Sequence, residues 1–151
     1  MFFDILPTDQ RPLRSPVPAS TRLIRFYRHV FLWVLQGWLA MFYLGAALAK
    51  LSQPHDLLAY LMGWPARVDP GLVAMVGWLE LALAVGLISP LISWRRCRPV
   101  LMLGAAGLLC DAFVMGGYHA LAGHVGLTLV NVALVVLAAT VLIGRHQEAR
   151  A

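Results

Sequence analysis

Two carboxylic acids, Glu80 and Asp111, sit inside long apolar runs of this chain, and Lys50 closes another such run. A charged side chain at mid-bilayer costs about 2.5–3.5 kcal/mol on insertion scales, and more in simulations of isolated helices. Acids held there against that penalty are candidates for proton transfer, and an ammonium beside them can offset their charge or donate to a carbonyl. Tyr43 and Asn131 bring neutral donors in the first and last runs. Glu80 and Asp111 are therefore the candidate catalytic acids, with Lys50, Asn131 and Tyr43 as candidate ligand-binding residues. Packing is the competing explanation, since polar side chains also join membrane helices, by about 0.6 kcal/mol per hydrogen bond. Asn131 alone fits that explanation, whereas simple adhesion does not require two acids and a lysine.

The elements that must position these groups follow from the apolar runs, which cover roughly 30–49, 71–88, 99–118 and 125–143. About 20 residues at ~1.5 Å each cross the ~30 Å hydrocarbon layer. With 151 residues, 60% hydrophobic and 13% charged, the chain has too little polar surface for a soluble globule. The expected fold is an all-α polytopic membrane protein, an antiparallel four-transmembrane-helix bundle. Its parts are an extended leader over 1–20, the membrane domain over 21–146 and a short tail over 147–151. Ten of the twelve Lys and Arg residues fall before span one, between spans two and three, or after span four. By the positive-inside rule that side, with both termini, is cytoplasmic. The net charge of +5 thus reads as topology and not as a nucleic-acid surface.

Span one carries Gln36, Ala40, Tyr43, Ala47 and Lys50 at steps of four and three, a small or polar stripe that should face other helices. The 51–70 connection is too apolar for a free loop and too short to span. It should form one or two helical turns in the interface, with Tyr60 and Trp64 at headgroup level, acting as an anchor or a lid. Ser20 or Thr21 can cap the first helix, and Pro99 suits the first turn of the third. Gly104 and Gly107 share a face with Asp111 and permit close helix approach. At the helical rise Glu80 lies ~13 Å below the outer end of its span, and Asp111 and Asn131 ~10 Å. These depths are those of one shared polar pocket, with Gln36 the exception toward the cytoplasmic side.

Other chemistries lack their residues. His55, His119 and His124 fall at outer span ends and His29 and His146 at inner ones, so no axial pair for haem is in place. His119 and His124 are five apart, a poor helical metal spacing, and no metal is expected. Cys97 and Cys110 form no Cys-x-x-Cys pair. No phosphate loop, nucleophile elbow or His-Glu-x-x-His motif occurs.

Gly45-Ala46-Ala47-Leu48-Ala49-Lys50-Leu51 resembles the glycine, small residues and Lys-Leu of the DoxX-like family of small four-span bacterial membrane proteins. Gly77-Trp78-Leu79-Glu80-Leu81-Ala82-Leu83-Ala84-Val85-Gly86-Leu87 resembles that family's Gly-x-x-Glu…Gly-Leu pattern, and Asn131 is a third likeness. Asp111 stands outside it. The resemblance implies a four-helix bundle in a bacterial inner membrane, with Lys50, Glu80 and Asn131 as the shared polar set. It also implies kinship with membrane subunits of oxidoreductases, thiosulfate:quinone oxidoreductase among them. The function expected here is a membrane subunit or accessory of an oxidoreductase system whose pocket takes a quinone-like ligand. The chain would then need a redox partner protein, or a second copy of itself, within the bilayer. The alternatives are a non-catalytic anchor or assembly subunit, and a small proton-coupled transporter that would need a dimer.

Overall fold

A computed structural model describes residues 18–150. Most of the expected leader, 1–17, lies outside the described residues. The elements run α1 (Ala19–Ser52), α2 (His55–Met62), a 3-10 turn (Trp64–Arg67), α3 (Pro70–Ile88), α4 (Trp94–Leu121) and α5 (Val125–Arg150). Apart from the short α2, the α-helices are long and apolar enough to cross a membrane, four in number among the described residues. The chain is thus an all-helical, multi-pass membrane protein.

Each long helix buries positions three and four residues apart, the spacing that keeps one face turned inward. In α1 these include Gln36, Leu39, Ala40, Tyr43, Ala47 and Lys50. In α3 they are Val73, Gly77, Glu80, Ala84 and Leu87, and in α5 Leu134, Ala138, Val141 and Arg145. The stripe expected on α1 is buried in full. Leu39 joins it, because a residue three positions after Gln36 falls within the width of the same face. Helices α1 and α3, α3 and α4, and α4 and α5 pack side by side, and a shorter α1–α5 contact closes the ring. Alanines at 40, 84, 105, 112 and 138 fill the shared core and keep the helices close.

Local chemistry sets the boundaries. α1 starts at Ala19, with the Pro18 carbonyl accepting from the Thr21 and Arg22 amides, so Ser20 and Thr21 lie in the first turn and cap nothing. The Asp69 carboxylate accepts from the Gly71 amide at 2.7 Å, and Pro70 opens α3 without an N–H to satisfy. Helix α4 begins at Trp94, so Pro99 lies inside it and not in its first turn. Proline removes the bond to the carbonyl four residues earlier and crowds that carbonyl with its ring. That carbonyl belongs to exposed Arg95, where solvent can serve it. α5 continues as helix to Arg150, beyond the expected end of the membrane domain.

Gly104 marks the tightest approach of α4 to the α3 backbone: a Cβ there would stand 2.8 Å from the Leu83 carbonyl oxygen and 3.0 Å from the Leu87 nitrogen. Neither backbone atom can step aside. Gly104→Ala should therefore lower stability by about 1–3 kcal/mol through overpacking. Gly37→Ala, where a Cβ meets nothing within 4 Å, should be neutral or slightly stabilising. Thermal unfolding of both variants in detergent checks the contrast.

Candidate functional site

The site begins with a missing side chain. Gly77 faces α1 so closely that a Cβ would lie 3.0 Å from Lys50 Cβ and 3.3 Å from the Ala47 carbonyl oxygen. One turn along α3, Glu80 then comes within reach of Lys50. The Lys50 Nζ donates to both carboxylate oxygens, at 2.8 and 2.7 Å. Both side chains are about 95% buried, at 5% and 4% exposure. Two of the ammonium's three donors are thus committed to Glu80.

Asp111, half-buried on α4, faces the same space. It lies beside the Tyr43 hydroxyl and within electrostatic reach of Lys50. Tyr43 is buried, and its hydroxyl donates across the bundle to the Leu108 carbonyl at 3.1 Å. The Asn131 amide donates to the Leu127 carbonyl of its own helix at 2.8 Å, so this donor does not reach either acid. Lys50, Tyr43, Glu80, Asp111 and Asn131 nevertheless line one cavity of about 120 Å³, as their depths suggested.

Met62, Trp64 and His119 also line that cavity. Tyr60 is exposed, but Trp64 is 92% buried, at 8% exposure, against Leu58 and Val73. Only Tyr60 is therefore free to sit at headgroup level. Gly63, at φ 74°, ends α2 between them, so two residues four apart no longer share a helical face. Met62 and Trp64 bring the connection between α1 and α3 onto the cavity wall.

His119 is buried, with its Nδ1 3.4 Å from His124 Nδ1. Among the described residues no group of three or more His, Cys, Asp and Glu is arranged to hold a metal ion. The signal for His119 was present in the spacing: Asp111, Met115 and His119 recur every four residues and so share a face.

A second polar cluster occupies the opposite end of the bundle. Arg145, read from sequence only as a topology marker, is 1% exposed. Its Nε donates to Gln36 Oε1 at 3.1 Å and its Nη1 to Glu148 Oε2 at 2.7 Å. The guanidinium stands 5.0 Å from the ring centres of both Trp33 and Trp94. Gln36 also donates to the Leu87 carbonyl at 2.6 Å, tying α1 to α3. The regular spacing Leu134, Ala138, Val141, Arg145 already put this arginine on the inward face.

The model of the DoxX-like family matches residues 34–141. This chain belongs to the DoxX-like family. No curated protein and no solved structure matches it. All residues named at the cavity of this DoxX-like chain fall inside the matched segment, whereas His29, Trp33, Arg145 and Glu148 fall outside it.

Removing one partner of a buried ion pair strands the other, typically at about 3–5 kcal/mol, whereas an apolar pair of similar volume is near neutral. Lys50→Met should therefore destabilise the bundle on that scale, and Lys50→Met with Glu80→Leu should recover most of the loss. Detergent unfolding of the single and double variants measures it.

Proposed function

We propose that this DoxX-like protein is a membrane subunit or accessory of an oxidoreductase system in a bacterial inner membrane. In this reading both termini are cytoplasmic, and the cavity takes the head group of a quinone-like ligand. The observation that carries the proposal is the joint occupancy of one cavity by a paired lysine, a second acid and neutral donors. Part of its wall, Phe42 on α1 and Val130 on α5, is exposed on the outside of the bundle. A ligand dissolved in the hydrocarbon layer would meet the polar groups from that side. The orientation rests on the basic residues, ten of twelve of which flank the end bearing the termini.

The donor set fits such a head group. Lys50 has one N–H beyond the two given to Glu80, and Asn131 has a second amide hydrogen beyond the one given to Leu127. Either can donate to a ring carbonyl. Asp111 is not ion-paired in the way Glu80 is, and so is the acid able to take or release a proton at the ligand. The Tyr43 hydroxyl, its one proton given to the Leu108 carbonyl, keeps lone pairs that can accept from a protonated acid beside it. A bound quinone would supply two-electron, two-proton redox chemistry, with electrons drawn from a partner that carries a redox centre.

A second reading, a non-catalytic anchor or assembly subunit, is favoured by the closure of the Lys50–Glu80 pair upon itself. The two readings diverge in a quinone-reduction assay on membranes containing the protein and its partners. Asp111→Asn should cut the rate by about 10²–10⁴-fold while leaving thermal stability near wild type. Glu80→Gln should lower the rate too, and unchanged rates in both variants would rule out the redox reading. Loss of partner recovery at an unchanged rate would point to the anchor.

A further inference from the structure

We propose that His119 and His124 form a two-residue proton conduit between the cavity and the surface at the α2 end of the bundle. His119 is 4% exposed and lines the cavity beside Asp111, Lys50 and Glu80. His124 is exposed, in the turn that leads into α5. The two Nδ1 atoms are 3.4 Å apart, and the His124 amide donates to the His119 carbonyl at 2.9 Å, which holds the rings in register. Gly63 leaves the imidazole its place: a Cβ there would lie 3.0 Å from His124 Cε1. Trp64, which lines the cavity, and Pro65 are both buried in the turn that follows Gly63. A buried ring on the cavity wall and an exposed ring in contact with it are the parts a relay needs.

The transfer balances on the rings alone. His124 takes a proton from water at Nε2 and passes its Nδ1 proton to Nδ1 of His119. His119 then releases its own Nε2 proton toward the cavity. Each ring ends in its other tautomer, and a second proton follows only after each has regained its first tautomer by rotating or by exchanging protons with water. From His119 to Asp111 is two helical turns, ~12 Å at the helical rise. The cavity of about 120 Å³ spans that interval. It has room for several water molecules at ~30 Å³ each. The charged and titratable groups around the pair are Lys50, Glu80, Asp111 and Tyr43 in the cavity. Tyr118 meets the His119 ring edge to face, Arg67 stands 5.8 Å over the Tyr118 ring, and Tyr60 shares a surface hollow with His124.

The proposal rests on reading the cavity acids as groups that exchange protons. Its test uses neither quinone nor partner, so a failed quinone assay leaves it readable. Purified full-length protein in nanodiscs is given an acid jump, and the infrared carboxyl band is followed in time. His124→Gln and His119→Gln should each slow its rise by about a hundredfold, the scale of a lost proton-transfer group. Added imidazole should restore the rate in His124→Gln, whose vacancy faces solvent, and not in His119→Gln. Where His119→Gln does not fold, His124→Gln and its rescue carry the test. An unchanged rate in His124→Gln, or its failure to respond to imidazole, overturns the conduit. So does a wild-type band that ignores the jump.

Discussion

Lys50 and Glu80 meet at a depth where neither charge is tolerated alone, and the α2 half of the molecule is arranged around that meeting. The pair needs two helices closer than ordinary side chains allow, which is why Gly77 faces α1 one turn from Glu80. It needs a polar face on α1, which the alternating steps from Gln36 to Lys50 provide. With both carboxylate oxygens of Glu80 bonded to one ammonium, its charge is largely answered. Among the described residues Asp111 has no such partner, and the difference gives two acids in one cavity different chemical characters.

The opposite end holds a buried charge by other means. Arg145 has Glu148 as a counter-charge one turn away, Gln36 as an acceptor, and the faces of Trp33 and Trp94 against its guanidinium. Cations over aromatic faces gain more when desolvated, reaching about 2 kcal/mol. The His29 ring joins the group, accepting from the Trp33 indole N–H at 3.0 Å through Nε2. Its Nδ1 stands 3.2 Å from both Glu148 Oε1 and Arg145 Nη1. This cluster binds α1 to α5 by side chains, while glycines and alanines bind α3 to its neighbours by backbone approach.

The periodic parts were legible in the sequence. Helix number, the buried stripe on α1 and the gathering of Lys50, Glu80, Asp111, Asn131 and Tyr43 in one half of the bundle follow from residue spacing and rise. So does the close approach at Gly104. What spacing alone did not convey was direction after a break in the helix. Trp64 turned inward because Gly63 reverses the chain, and no helical period extends across a positive φ. His119 and Arg145 lay at the expected ends of spans, where terminal position suggested solvent. Their inward faces depend on helices that run past the apolar windows, α4 to Leu121 and α5 to Arg150. Asn131 had the right depth, but its donor turned to its own backbone, which one-dimensional patterns do not distinguish.

The contact between α1 and α5 is the shortest in the ring. The ion pair joins α1 to α3, the Tyr43 bond joins α1 to α4, and the Arg145 group ties α1 to α5 only near the chain ends. A breathing motion that parts α1 from α5 at the level of Phe42 and Val130 therefore breaks no polar bond among those described. The described polar ties between α1 and α5 are gathered at the Arg145 end, and Phe42 and Val130 beside the cavity take no part in them.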